Sequence, residues 1–308
     1  ARAKTWTAPP RRRSQLRETG HAIAGTTLAD GKAARRSGAE AQPLRKPRGF
    51  DPNSRDRRLK SWFAPHVRRE LEHIADEIDQ LREDDAEIAD VLVACLSSVL
   101  YKVSSRTSDT DPTWTERNVP RGQASRLFAQ RVDGLVAGLA DLSKAHATLP
   151  EVHELDIRRL DRVVKNGSAC GVITSPPYAG TYDYAEHQRL RFDFLALRHR
   201  DLDDNELGSR RSFEADAETG RAAWQKALAG FVAKIGATLA PGRAAALVIG
   251  DSVAATRACF ALDDLRDALP GDLVIEAWAS QERAKLGQVE RRAFGDRPKC
   301  EHIVLLRR

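Results

Sequence analysis

Apolar residues recur every three or four positions through the first half of the chain, a spacing that predicts helices. The clearest run begins after Lys60, and its apolar residues all face one way: Val67, Leu71, Ile74, Ile78 and Leu81. A second helix is expected over about 86–103, apolar nearly all round and therefore buried, and a third over about 125–143. A polar loop over 104–120 separates the second helix from the third. Residues 58–149 are thus predicted to form a helical block.

Beyond this block the pattern alternates between strand and helix. Four short apolar runs are typical of strands, at 171–174, 244–249, 273–278 and 300–306. The segment 152–155 is a further strand candidate, and helices are expected over about 222–239 and 258–269. Strands separated by helices indicate a parallel, buried sheet with helices on both faces, whose last two strands can pair antiparallel. Residues 150–308 are therefore predicted to form a doubly wound α/β domain.

The composition excludes several classes of protein. Of the 308 residues 41% are hydrophobic and 31% are charged, and no apolar run approaches the roughly 18 residues that span a bilayer. Four cysteines lie far apart, which gives neither a disulfide framework nor a zinc site. The eight histidines show no metal-ligand spacing. We therefore expect a cytoplasmic protein with no membrane span, no disulfides and no metal.

Positive charge is concentrated at the beginning of the chain. The first fifty residues hold twelve Lys/Arg and only three Asp/Glu, mixed with Gly, Pro, Ser and Thr. Such a composition is too poor in apolar residues to fold alone, so residues 1–57 are predicted to be a basic, loop-rich segment. Arg11, Arg12 and Arg13 are expected to approach a phosphate backbone in a salt-dependent way. A merely solvated connector is the alternative.

The sharpest chemical signal is an apolar strand that runs into Ser175, Pro176, Pro177 and Tyr178. In open α/β sheets, ligands bind beyond the carboxyl ends of the strands, and this string would lie there. Two prolines remove two backbone N–H donors, so the loop presents acceptor oxygens without competing donors. An aromatic ring beside them offers a flat stacking face. The pattern predicts a pocket for a planar ring that bears an amine; a rigid surface turn is the alternative.

The string Thr174-Ser175-Pro176-Pro177-Tyr178 resembles the catalytic motif of the amino DNA methyltransferases. The serine is more similar to the cytosine-N4 group than to the adenine-N6 group, and residues 180–187 also resemble bacterial site-specific DNA methylases. The resemblance implies a Rossmann-like sheet that binds S-adenosylmethionine, with the helical block as an insertion. It implies that Ser175 and the Pro176 carbonyl accept from the amine of a flipped base while Tyr178 stacks on it. The methyl group would pass by direct displacement.

The resemblance also implies roles outside this motif. The stretch around Asp156 resembles the one with which family members contact the cofactor's adenine, so Asp156 and Thr174 are expected beside S-adenosylmethionine. A helix cap is the alternative for Asp156. Tyr182, in the continuation of the motif, is expected to contact double-stranded DNA together with the three N-terminal arginines.

One family feature is missing from the sequence. The glycine-rich loop that holds the methionine part of the cofactor needs glycines one residue apart, and no two of the twenty glycines are so spaced. The opening residues 1–6 resemble the stretch that follows the second strand in these methylases, which implies that the chain starts after the first β-α-β unit. The expected function is transfer of a methyl group to cytosine N4. Adenine N6, an RNA base, or nucleic-acid binding without turnover remain as alternatives.

Overall fold

The computed structural model describes residues 1–37, 59–106, 113–115, 117–145, 150–197, 202 and 206–308; for residues 30–37 it describes the backbone alone. This part of the chain divides into two compact units. Unit 1 comprises Ala1–Val152 and His187–His199, and unit 2 comprises Arg200–Arg308 together with His153–Glu186. The break after Val152 lies close to the predicted boundary at 150, whereas His187–His199 joins the helical unit rather than the α/β unit.

Unit 1 is built from helices. Their bounds are α1 Pro10–Ser37, α2 Pro65–Asp84, α3 Ala86–Leu100, α4 Gln123–Lys144 and, after the chain returns to this unit, α6 Arg189–Leu195. The three predicted helices are confirmed as α2, α3 with a following 3₁₀ turn at Tyr101–Val103, and α4. The stripe of α2 is buried at Val67, Leu71, Ile74 and Ile78, and these side chains share one apolar core with α3 and α4.

The structure corrects the prediction for the basic N-terminal segment. A loop was expected over 1–57, but α1 occupies Pro10–Ser37 and residues 38–57 lie outside the described ones. The few apolar residues of α1 reach the core, where Leu16 is fully buried and Ile23 is nearly so. Such a sparse stripe gives a weak periodic signal, so packing against α4 rather than the sequence pattern accounts for the helix.

Unit 2 contains a four-stranded sheet in the order β1-β2-β6-β5. The strands are β1 Ala169–Thr174, β2 Leu239–Gly250, β5 Val274–Arg283 and β6 Lys299–Arg307; β3 Ser252–Ala254 and β4 Arg257–Cys259 form a separate small ribbon. The helices are α5 Tyr184–His187, which ends at the first residue of the unit 1 segment, α7 Arg210–Ala215, α8 Ala217–Thr238, α9 Ala261–Ala268 and α10 Gly287–Phe294. The fold is mixed α/β, as the sequence indicates at that level.

The predicted antiparallel pairing of the last two strands is confirmed, but the rest of the sheet is parallel only in part. Strands β1 and β2 are parallel, whereas β6 runs antiparallel to both β2 and β5. Helices α8 and α9 pack against β2 on one face, but on the opposite face Ile173 is 90% exposed and Ile303 is 59% exposed. The described helices therefore do not cover both faces. Residues 152–155, a predicted strand, have no regular structure.

Candidate functional site

The Ser-Pro-Pro-Tyr string directly follows β1, as the sequence predicts. Residue Thr174 ends β1 and pairs with Leu247 of the parallel strand β2, which itself ends at Gly250. The carboxyl ends of the two strands therefore lie side by side, which is where open α/β sheets place ligands. The string Ser175–Tyr178 thus occupies the expected edge of the sheet.

The four residues of the string differ in exposure. The side chain of Ser175 is exposed, Pro176 is buried, and Pro177 and Tyr178 are half-buried. A cavity beside the two prolines is lined by them, by the turn before α7 and by residues of α8: Leu207, Gly208, Trp224, Ala227, Leu228 and Phe231. Its volume is only about 10 Å³, room for roughly one water molecule. The loop therefore packs closely against α8, and this cavity is too small for a planar ring.

Tyr178 is fixed by contacts with the ends of two strands. Its hydroxyl donates to Oε1 of Glu301 at 2.9 Å. Burial and the neighbouring Glu301 carboxylate together raise the pKa of Tyr178 to about 12, so the phenol stays protonated at neutral pH. A Cβ added at Gly250 would lie only 2.6 Å from Cε2 of the ring, so only glycine permits this approach.

The turn after Tyr178 is held by backbone contacts. The Ala179 carbonyl accepts from the Ser252 hydroxyl at 2.6 Å, and the Gly180 amide donates to the Gly208 carbonyl at 2.9 Å. Both glycines have φ values in the left-handed region, +60° for Gly180 and +69° for Gly208. The loop is therefore anchored both to the chain just after β2 and to the turn before α7.

Tyr182 lies farther along this loop, beside another aromatic ring. Its ring centroid is 5.4 Å from that of Tyr184. The adjacent Asp183 accepts from Arg211 Nε at 3.2 Å, and Arg211 also contacts Glu206 at 3.1 Å. These ion pairs tie the loop to the start of α7. Tyr182 therefore belongs to the same unit and the same loop as Ser175–Tyr178.

Of the two residues expected at the cofactor, Asp156 is engaged elsewhere. Its carboxylate accepts from the backbone N–H of Arg158 at 2.8 Å and caps the 3₁₀ turn Ile157–Arg162. The guanidinium of Arg158 also pairs with it and holds the pKa of Asp156 below its ordinary value. The structure thus gives Asp156 the cap role that the sequence left as the alternative. Thr174 is half-buried at the end of β1.

The three arginines expected at DNA lie in unit 1, at the start of α1. Arg12 forms ion pairs with Asp85, at 2.9 Å from Oδ1, and with Glu87. Arg13 donates to the Ala8 carbonyl at 2.7 Å. Arg11 is exposed. Two of the three guanidinium groups are therefore engaged within the chain, which weakens the expectation of a free basic arm.

Sequence reasoning missed Glu301 and Gly250. Glu301 follows Cys300 at the start of β6, a segment to which the sequence gives a structural role, and Gly250 is the last residue of β2. Neither residue has a local signal, because their meeting with Tyr178 depends on strand order. Asp251, the residue after Gly250, has a buried carboxylate that accepts from the N–H of Ala261, the first residue of α9, at 2.9 Å.

Two further features of the described residues bear on function. Within the described ranges, no group of three or more His, Cys, Asp or Glu side chains is arranged to hold a metal ion. In the same part of the chain, no helix is long and apolar enough to cross a membrane.

No family model matches the sequence, and no curated protein matches it either.

Proposed function

We propose that the protein is a DNA methyltransferase that acts on the exocyclic amine of a flipped base, with cytosine N4 as the preferred target. The observation that carries the proposal is the position of Ser175–Tyr178: an exposed hydroxyl, two prolines and a fixed aromatic ring at the carboxyl end of β1, beside the end of β2. The sheet order β1-β2-β6-β5 is compatible with the Rossmann-like arrangement that the proposal includes.

In this proposal the protein binds the target amine of the base and orients it. The Ser175 hydroxyl oxygen and the Pro176 carbonyl accept the two hydrogens of the amine, because neither proline offers a competing backbone donor. Holding both hydrogens fixes the direction of the nitrogen lone pair, which is what an in-line displacement needs. Tyr178 stacks on the flipped base, an interaction that contributes roughly 1–3 kcal/mol.

The resemblance implies S-adenosylmethionine as the methyl donor, but the described residues form no complete site for it. The cavity beside Pro176 and Pro177 has a volume of about 10 Å³. The Asp156 carboxylate is engaged by Arg158. The sequence also offers no closely spaced glycines for the approach of a backbone to the cofactor. No described residue is therefore assigned to the cofactor.

This misfit favours a second candidate of a different class, a nucleic-acid-binding protein without turnover. The acceptor oxygens and the ring of Tyr178 bind a base whether or not a methyl donor is present. Among the alternative amines, adenine N6 and RNA bases keep the same chemistry. The identity of the methylated nucleoside decides between them.

The test uses radiolabelled S-adenosylmethionine with duplex DNA, followed by mass spectrometry of the nucleosides. We expect N4-methylcytosine. The variant Tyr178→Ala should lower transfer about 5- to 150-fold, the range that corresponds to the stacking energy, while duplex binding changes less than about twofold. The matched control is Trp278→Ala, which removes an exposed aromatic side chain of β5.

Two outcomes count against the proposal. Equal losses of transfer and of duplex binding in Tyr178→Ala contradict the stacking role, because stacking acts only after the base leaves the duplex. Absence of transfer, with no cofactor binding by calorimetry and a retained salt-dependent affinity for DNA, favours the second candidate.

A further inference from the structure

We propose that Glu301 is a positioning residue that fixes the position of the Tyr178 ring through its hydroxyl. Glu301 lies 123 positions from Tyr178 in the sequence, and its Oε1 accepts a hydrogen bond from the Tyr178 hydroxyl at 2.9 Å. The consequence for base stacking rests on the function proposed above; the contact itself does not.

The acceptor is itself held in place. Oε1 of Glu301 takes the tyrosine hydroxyl, and Oε2 accepts from Arg283 Nη2 at 2.6 Å. Glu301 is on β6 and Arg283 on the neighbouring β5, so both belong to the sheet rather than to the loop. The hydrogen bond therefore connects a loop side chain to a rigid element.

The ring is restrained at two points. A Cβ built at Gly250 would be 2.6 Å from Cε2, 3.1 Å from Cδ2 and 3.2 Å from Cζ of Tyr178, so the backbone of Gly250 packs against that side of the ring. The hydroxyl, at the far end of the side chain, is tied to Glu301. Rotation about χ1 would swing the hydroxyl away from its acceptor, so the bond selects one χ1 rotamer. Rotation about χ2 leaves the hydroxyl in place, and packing against Gly250 limits that rotation. A phenylalanine would keep the packing and lose this selection.

The experiment measures stacking directly. Single-stranded DNA that carries a fluorescent aminopurine base is titrated with the protein, because aminopurine is quenched when it stacks on an aromatic ring. Glu301→Ala and Tyr178→Phe should each weaken the quenching association about tenfold, the loss that corresponds to one hydrogen bond to a charged group. Glu301→Gln keeps an acceptor oxygen for Tyr178 but loses its charge and the acceptor for Arg283, so its loss should be clearly smaller than that of Glu301→Ala without being zero.

The matched control is Glu276→Ala. Glu276 is paired with Arg307 at 2.7 Å on the same two strands, at the opposite end of the sheet, so its loss should leave the aminopurine signal unchanged. Circular dichroism of each variant confirms that it is folded. The double variant Tyr178→Phe with Glu301→Ala should lose no more than either single variant, because both remove one interaction.

Additive losses in the double variant, or equal losses in Glu301→Gln and Glu301→Ala, would overturn the positioning role. The methyl-transfer assay is read separately. If the wild type transfers no methyl group while the two residues remain coupled in the aminopurine titration, the proposed function fails and the positioning role stands. If transfer occurs and the coupling is absent, the positioning role fails and the proposed function stands.

Discussion

Replacing Gly250 by alanine places a methyl group inside the contact between β2 and Tyr178. The added Cβ would lie 2.6 Å from Cε2 of the ring, about 1 Å inside ordinary carbon-carbon contact. Gly250 is paired with Glu301 of β6, and the strand that it closes is also paired with β1 as far as Leu247, so we expect the tyrosine rather than the strand to move.

The magnitude follows from two costs and one gain. Overpacking of a filled site costs about 1–3 kcal/mol, and a shift of about 1 Å also weakens the hydrogen bond from Tyr178 to Glu301, worth about 1.5–3 kcal/mol at full strength. Alanine in a strand recovers about 0.5–1 kcal/mol of backbone entropy relative to glycine. Because the loop can yield, we expect the free energy of unfolding to fall by about 2 kcal/mol.

The assay is urea unfolding monitored by circular dichroism. The matched control is Gly230→Ala in α8, where an added Cβ meets nothing within 4 Å; that variant should be neutral or stabilised by up to about 1 kcal/mol. In a Tyr178→Ala background the ring is gone, so Gly250→Ala should cost little. If its cost in that background equals its cost in the wild type, the contact with Tyr178 is not its cause and the reasoning is refuted.

Three other substitutions test the surrounding structure. Asp251→Ala leaves two backbone N–H groups without their buried acceptor and should lower the free energy of unfolding by roughly 2–5 kcal/mol, against less than about 1 kcal/mol for the exposed Asp263→Ala. A small change in urea unfolding would contradict this role. Arg12 lowers the pKa of Asp85 chiefly through its hydrogen bonds, so the pair stabilises the fold above about pH 4 and less as the pH falls further. Arg12→Ala should therefore flatten the dependence of stability on pH in that acidic range; an unchanged slope would argue against the pair. Gly208→Ala, at φ +69°, should cost about 1–2 kcal/mol in the same unfolding measurement, and no cost would mean that the turn relaxes.

Helices were predictable where the apolar period is strong. In α2, four apolar residues on one stripe are buried as expected, because amphipathic spacing is a property of the local sequence. In α1 the same reasoning failed. That helix buries few apolar side chains, and its contacts with α4 and the pairs of Arg12 come from residues far away in the chain. A prediction from local pattern cannot include them.

Strand prediction failed where pairing decides the outcome. The segment 152–155 has a strand-like composition but no described neighbour, whereas β2 extends through Pro241 to start at Leu239, beyond the predicted 244–249. A strand exists only where backbone groups of a second strand meet it, so its limits follow from the sheet. The antiparallel direction of β6 against β2 was likewise not encoded in its own residues.

By itself the sequence determined the string Ser175–Tyr178, its position after a strand, and the prolines that make it rich in acceptors. Only the tertiary structure decided that Gly250 and Glu301 hold Tyr178 in place. The physical reason is that hydrogen bonding and close packing act at distances of a few ångströms between residues that strand order, not sequence distance, brings together.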